Sequence, residues 1–149
     1  NLKVKSDNDI EKSIAASDIV VTTTPSNEPL VKADWLQPGH HITAMGSDQS
    51  TKCELEASCI TKCNYYIPDY QAQTEILGEL RPALANGLVP KDMKFTELGN
   101  VIADKNKGRK TDKDITIADL TGTGMQDTAI ATYANEKAEK AGIGANFKS

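Results

Sequence analysis

The regular alternation of short β-branched runs with stretches of helical spacing limits the fold more than any other feature. The clearest run, residues 19–24, is continuous, rich in Val and Thr, and stopped by Pro25. Such a strand is expected to be buried on both faces, as in parallel sheets. Runs of the same kind predict three further strands, near residues 41–45, 64–67 and 115–118.

Segments with helical spacing lie between and after these strands. Apolar residues recur at helical intervals in the segments predicted as helices, namely 9–17, 71–80, 81–86, 96–103 and 122–141, with a short turn at 33–36. Strands that alternate with helices favour a parallel sheet with helices on both faces. The predicted fold class is therefore α/β, a partial Rossmann-like, doubly wound and mostly parallel sheet.

The stretch 42–55 carries the first candidate for a functional residue. It begins as a short strand, turns at a glycine and leaves the carboxylate of Asp48 on the turn. Thr51 and Glu54 have the spacing of a capping box, which predicts a helix that begins near Lys52. Ligands of open α/β sheets bind at the carboxyl ends of the strands, so Asp48 is a candidate site residue. The alternative is that Asp48 only caps a turn.

Composition narrows the class of protein. The 149 residues fit one ordinary domain, and a net charge of −4 gives no broad basic surface for nucleic acid. No apolar run approaches the roughly 20 residues of a membrane helix, and no signal peptide opens the chain, so a cytoplasmic protein is expected. Irregular spacing of Cys53, Cys59 and Cys63, with His40 and His41 adjacent, argues against a zinc site and favours reduced thiols.

The glycine pattern of a dinucleotide-binding loop does not occur in this sequence. No GxGxxG follows the first strand, and no acidic residue stands after it for a ribose hydroxyl. The run Gly122-Thr123-Gly124 lies between a strand and a helix but lacks the third glycine. A tight turn that brings the helix close to the sheet is the favoured interpretation.

Several motifs in one order resemble those of a known family. The motifs are Ser17–Ser26, Leu36–Asp48, Lys52–Leu55, Gly78–Leu80, Glu97–Gly99 and Asp119–Ala129. Together they resemble the carboxyl-terminal portion of the ornithine cyclodeaminase/mu-crystallin family. The last motif is most similar to the branch that contains ectoine-utilisation cyclodeaminases and iminosuccinate reductases.

The resemblance implies an NAD- or NADP-dependent enzyme, usually a homodimer, that acts on a small-molecule amino acid or imine. A cyclodeaminase-type reaction is the first hypothesis for the activity. An imine reductase or amino-acid dehydrogenase of the same family, or a non-catalytic NADPH-binding protein of the mu-crystallin type, remains the alternative. By resemblance, Asp48 handles a proton or water at the reacting carbon, for which a closed pocket would raise its pKa.

Further residues are carried over from the same resemblance. Thr23 and Thr24 match positions beside the nicotinamide ribose, although they could equally be ordinary strand ends. Ala44 and Met45 match the lining of the nicotinamide pocket, although Met45 could equally fill the core. Several relatives have a serine where this chain has Leu120, so only the backbone of Leu120 could serve the cofactor. Lys52 matches a recurrent lysine, with a solvated charge at a helix start as the favoured role.

The resemblance also divides the chain. Residues 1–121 match the carboxyl-terminal part of a dinucleotide-binding domain, and residues 122–149 match a terminal helix that returns toward a dimer and substrate domain. The family pattern places that domain and the glycine loop before the point that corresponds to Asn1. The isolated chain is therefore expected to be inactive and to associate through an exposed sheet edge.

Overall fold

The computed structural model describes residues 2–145; Asn1 and residues 146–149, at the ends of the two predicted segments, lie outside the described residues. Four parallel strands form one sheet in the order β1-β2-β4-β3. The strands are β1 Ile19–Thr22, β2 His41–Ala44, β3 Tyr65–Pro68 and β4 Thr116–Asp119. The predicted α/β class, the parallel sheet and the positions of all four strands are confirmed.

Helices accompany the sheet. They are α1 Ile10–Ala15, α2 Cys59–Lys62, α3 Gln71–Thr74, α4 Leu80–Ala85, α5 Leu98–Ala103 and α6 Gly124–Ala141, with 3-10 turns at Ala33–Trp35 and Lys105–Lys107. The start of α6 carries the predicted capping box of Thr123 and Gln126, and Gly142 ends the helix with a φ of +65°. Among the described helices, none is both long and apolar enough to cross a membrane.

The hydrophobic core lies against one face of the sheet. Val20, Ile42, Ile117 and Tyr66 are partners in register, and partners in register project to the same face. Ile42 and Ile117 are completely buried, and burial of each such side chain contributes about 1.5–3 kcal/mol. Side chains from α1, α2, α4 and the 3-10 turn at 33–35 complete the core, among them Ile14, Ala33, Cys59, Leu80 and Ala83.

The prediction that the first strand is buried on both faces is wrong for the described chain. β1 is an edge strand, and its Ile19 and Val21 side chains are 65% and 56% exposed. They project away from the core side that Val20 and Thr22 share. A groove of about 360 Å³ runs between β1 and α1 and continues to Thr24. β1 therefore presents an unpaired edge and an uncovered apolar face.

The helix predicted to begin near Lys52 is also wrong. Residues 52–58 are irregular, and the first helix after β2 is α2. The backbone N–H groups of Glu54 and Leu55 donate to the Glu79 side chain, and Leu55 forms an isolated parallel bridge with Val31. The segment therefore takes long-range partners in place of the hydrogen bonds of a helix.

We expect residues 1–149, expressed alone, to associate through β1, because an unpaired edge with exposed apolar side chains templates pairing. Ile19→Lys should weaken this association. Ile76→Lys is the matched control, since Ile76 is 63% exposed and lies in the turn after α3. Light scattering over a range of concentrations measures the effect. A compact monomer at all concentrations would contradict the expectation.

Candidate functional site

The structure brings the predicted site residues to one edge of the sheet. β1, β2 and β4 end in register at Thr22, Ala44 and Asp119. The ladder continues one step further, because the Met45 N–H donates to the Thr22 carbonyl at 2.9 Å and the Leu120 N–H donates to the Ala44 carbonyl at 2.8 Å. The residues at or just beyond this carboxyl edge are Thr23, Thr24, Ala44, Met45, Asp48 and Leu120.

Asp48 lies on the loop after β2, where the sequence predicts it, but its environment differs from the prediction. Its side chain is 49% exposed and accepts a hydrogen bond from Lys52 Nζ at 2.6 Å. This bond holds the pKa of Asp48 below its usual value, in place of the raised pKa expected for a closed pocket. The Lys52 side chain is only 20% exposed, so its predicted role as a solvated helix-start charge is wrong.

Glu54 joins the loops that follow β1 and β2. Its Oε1 accepts the Thr24 N–H at 2.5 Å, and its Oε2 accepts the Gly46 N–H at 2.8 Å. The side chain is completely buried. The approach is so close that a Cβ at position 46 would overlap both the Glu54 carboxyl group and the Thr24 carbonyl oxygen. Only glycine fits at position 46 without movement of these groups.

The Glu79 side chain is bonded to the backbone of the segment that carries Glu54. Its Oε1 accepts the Ser47 hydroxyl at 2.5 Å and the Glu54 N–H at 2.8 Å, and its Oε2 accepts the Leu55 N–H at 3.1 Å. Burial raises the pKa of Glu79, although the Ser47 and backbone hydrogen bonds oppose that change. The carboxyl group therefore orders both the residue before Asp48 and the segment that carries Glu54.

Asp119 ends β4 and completes a series of three buried acids. Its Oδ2 accepts the Tyr66 hydroxyl at 2.5 Å and the Glu79 N–H at 2.8 Å, whereas Oδ1 has no hydrogen-bond partner among the described residues. Burial raises the pKa of Asp119 to about 7, with the nearby Glu79 charge as a further cause. In this series, the side chain of each acid accepts the backbone N–H of the next, from Asp119 to Glu79 to Glu54.

The local sequence pattern does not predict this acid series. The capping-box spacing predicts Glu54 as a helix-capping residue, and Glu79 and Asp119 stand out only as parts of the family motifs. One local signal was available, because Asp119 ends an apolar strand and Glu54 stands between Cys53 and Leu55. A charged residue within an apolar run is buried only when it has partners.

The other predicted site residues differ in exposure and in whether their backbone N–H groups are already bonded. Thr23 and Met45 are exposed, whereas Ala44 is 1% exposed. Thr24 is partly buried, and its N–H is taken by Glu54. The Leu120 N–H is likewise taken by the sheet. Their cofactor-binding roles stay predictions.

The residues predicted to bind the cofactor, Thr23, Thr24, Ala44, Met45 and Leu120, are all uncharged, which suits the uncharged part of a dinucleotide better than its phosphates. Thr23 and Met45 are exposed beside the strand ends, whereas Ala44 is buried. Thr22 Oγ1, in the groove beside β1, is buried without a hydrogen-bond partner in the described structure. A polar ligand atom would satisfy this oxygen. The residues therefore fit one part of a cofactor site.

The interpretation of Gly122-Thr123-Gly124 as a tight turn is consistent with the structure. Gly122 has a φ of +79°, which glycine adopts readily. Its N–H donates to Asp69 Oδ2 at 2.9 Å, and its carbonyl accepts from Gln73 Nε2 at 2.6 Å. Because the Gly122 N–H is already bonded to Asp69, it is not available to a phosphate.

The three cysteines are free thiols within the described residues. Burial raises the pKa of Cys53 to about 11 and the pKa values of Cys59 and Cys63 to about 12. The thiols therefore stay protonated at neutral pH, which suits packing better than nucleophilic chemistry. Across residues 2–145, no group of three His, Cys, Asp or Glu side chains is arranged to hold a metal ion.

Comparison with known proteins gives a consistent result. A model of the ornithine cyclodeaminase/mu-crystallin family matches residues 1–142. An uncharacterized cyclodeaminase of Sinorhizobium fredii is 47% identical over 146 residues, which cover 98% of this chain and 44% of that protein. The chain thus spans less than half the length of this relative.

Two solved structures share the fold. An archaeal alanine dehydrogenase dimer with bound NAD is 38% identical, with a TM-score of 0.76, and the match covers 88% of this chain and 41% of that chain. The iminosuccinate reductase of Paracoccus denitrificans, in complex with NAD+, is 33% identical, with a TM-score of 0.84, and the match covers 95% of this chain and 43% of that chain. The Rossmann-like fold class is thereby confirmed.

We expect Asp119→Asn to change how stability depends on pH. The pKa of Asp119 in the folded protein, about 7, lies above its usual value of 3.8, so the folded state binds the proton more tightly. The resulting stability is full below about pH 4 and is lost as the pH rises through about 7. The neutral amide keeps the acceptor for Tyr66 and the Glu79 N–H without a buried charge.

The melting temperature of Asp119→Asn, relative to the wild type, should therefore rise between pH 5 and pH 8. Thermal unfolding of the full gene product, measured at pH 5 and at pH 8, checks this prediction. Asp92→Asn, at an exposed carboxylate, is the control and should show no such change. A difference between Asp119→Asn and wild type that is the same at both pH values would contradict the assignment.

Proposed function

The chain belongs to the ornithine cyclodeaminase/mu-crystallin family, and we propose that it is the carboxyl-terminal part of an NAD(P)-dependent enzyme that acts on an amino acid through an imine. The observation that carries the proposal is the Asp48 carboxylate, half-exposed at the carboxyl edge of the sheet. Ligands of open α/β sheets bind at this edge. An ionised carboxylate at this position favours an enzyme over a purely cofactor-binding protein.

The cofactor proposal is NAD or NADP, since both solved relatives described above hold NAD. Thr23, Thr24, Ala44 and Met45 would line the nicotinamide end, and Leu120 would contribute through its carbonyl because its N–H is engaged. When bound, a nicotinamide cofactor supplies hydride transfer at the α-carbon of the substrate. The sequence has no GxGxxG, so these residues form only part of a cofactor site.

Asp48 is proposed to handle the proton of this reaction. Formation of an imine from an amine removes a hydride from the α-carbon and a proton from the nitrogen, and a carboxylate can accept that proton directly or through water. The Lys52 hydrogen bond favours the ionised form of Asp48, so this group starts as a base. In the reductive direction the same carboxyl group would return the proton.

A cyclodeaminase-type reaction is the first candidate, because the relative from Sinorhizobium fredii carries that name. Simple reduction of an imine is the second candidate, favoured by the likeness to iminosuccinate reductase. The two differ in whether ammonia leaves and a ring forms. Product analysis with a diamino acid and NAD(P)+, and with an imino acid and NAD(P)H, would separate them.

We also propose that residues 1–121 belong to the cofactor-binding domain, that residues 122–149 return toward a dimer and substrate domain, and that the enzyme is a homodimer. α6 has no buried residue among those described, and Met125, Ile130 and Tyr133 on it are 79%, 63% and 56% exposed. A helix with such side chains uncovered normally packs on something else. The dimer of the archaeal relative suggests either the rest of the enzyme or a second subunit as that partner.

Asp48→Asn, in the protein as its gene encodes it, should fold and bind cofactor almost normally because the amide keeps the size of the side chain. Turnover should fall by roughly 10²–10⁴-fold, the usual contribution of a positioned acid or base. The loss should appear mainly in kcat, since the group acts as the imine forms. Steady-state kinetics followed by nicotinamide absorbance measures it.

Asp34→Asn is the control, at an exposed aspartate on the 3-10 turn, and should keep wild-type kcat. Residues 1–149 alone should show no measurable turnover, since they supply only part of the cofactor site. An Asp48→Asn enzyme with wild-type kcat would reduce Asp48 to a turn residue and contradict the proposal.

A further inference from the structure

We propose that Glu54, Glu79 and Ser47 are positioning residues for Asp48, which hold its loop at the sheet edge through a buried set of hydrogen bonds. This inference rests on the proposed role of Asp48. None of the three side chains is accessible to a substrate, because all three are at most 1% exposed. They would act only through the loop that carries Asp48.

The geometry fixes both residues that precede Asp48. Gly46 is held by its N–H, which donates to Glu54 Oε2 at 2.8 Å. Ser47 is held by its hydroxyl, which donates to Glu79 Oε1 at 2.5 Å. Because the two residues before Asp48 are anchored to buried carboxyl groups, the backbone that leads into Asp48 is held in place.

Lys52, the hydrogen-bond partner of Asp48, is itself held by a residue close to Glu79 in the chain. Lys52 Nζ donates to Asp48 Oδ1 at 2.6 Å, and the Lys52 carbonyl accepts from Arg81 Nη2 at 2.8 Å. Arg81 belongs to α4, the helix that begins directly after Glu79. Ser47, which precedes Asp48, and the backbone of Lys52, whose ammonium group bonds to Asp48, are therefore both bound to one short segment, residues 79–81.

Both oxygens of Glu54 and of Glu79 are needed as acceptors. Glu54 accepts one backbone N–H on each oxygen, and Glu79 accepts two donors on Oε1 and at least one on Oε2. An amide in place of either carboxylate would set an N–H donor against a backbone N–H donor. A buried clash of this kind forces the loop to move, and a misplacement of about 1 Å at a reacting group can cost about 10²-fold in rate.

Ser47→Ala is the mildest test, because it removes one hydrogen bond and leaves both Glu54 bonds in place. In the gene-encoded protein we expect kcat to fall by about 10-fold to 10²-fold. KM and the affinity for NADH, measured by fluorescence titration, should stay near wild type. Thr116→Val is the matched control, since Thr116 is a buried hydroxyl at the amino end of β4 that bonds to His41 and Arg109.

A double-mutant cycle with Asp48→Asn distinguishes positioning from general stability. If Ser47 acts through Asp48, Ser47→Ala lowers kcat in the wild-type background and has little further effect when Asp48 is already Asn. Equal effects in both backgrounds, or wild-type kcat in Ser47→Ala, would overturn the inference. Wild-type kcat in Asp48→Asn alone would instead refute the proposed function, and with it this inference.

Glu54→Gln and Glu79→Gln extend the test to the acids themselves. We expect each to lower kcat by at least as much as Ser47→Ala when rates are normalised to the NADH-binding fraction. Normalisation separates loss of folded protein from loss of alignment. Retention of wild-type kcat per binding site in both variants would overturn the role of the acids.

Discussion

Glu79 is 1% exposed, and a carboxyl group removed this far from water must be surrounded by donors. It finds them in the Ser47 hydroxyl and the N–H groups of Glu54 and Leu55, while its own N–H donates to Asp119. Satisfying one buried acid thereby fixes the segment that supplies the donors. The cost of leaving any of these groups unbonded exceeds the net gain from the bond itself, so the arrangement forms as a whole.

This requirement explains why the chain after β2 is not helical. A capping box would turn the Glu54 side chain back to the N–H of Thr51. In the structure both oxygens of Glu54 are occupied by Thr24 and Gly46, and its backbone N–H is occupied by Glu79. A local cap contributes about 1 kcal/mol, whereas an unsatisfied buried charge costs several times more. The tertiary bonds therefore prevail over the local pattern.

The parts of the fold that sequence predicts are those decided locally. Short β-branched runs fix the strands, and the capping box at Thr123 forms because α6 has no buried residues to impose other partners within the described structure. The rule for strand ends also locates Asp48 correctly. What it cannot supply is the acid series, whose members bond across 25 and 40 residues of chain. No local spacing records such pairs, and the edge position of β1 depends equally on what lies beside it in space.

The acids at this edge of the sheet are separated into two kinds by their surroundings. Burial raises the pKa values of Asp119 and Glu79, whereas the ammonium group of Lys52 lowers the pKa of Asp48. Acids whose environments push their pKa values apart take different roles, even where they lie at the same edge of one sheet. The buried acids Glu54, Glu79 and Asp119 are at most 1% exposed, so none of them is accessible to a substrate. Asp48 keeps an exposed, ionised carboxylate, which is why we propose it as the group that exchanges a proton with a bound molecule.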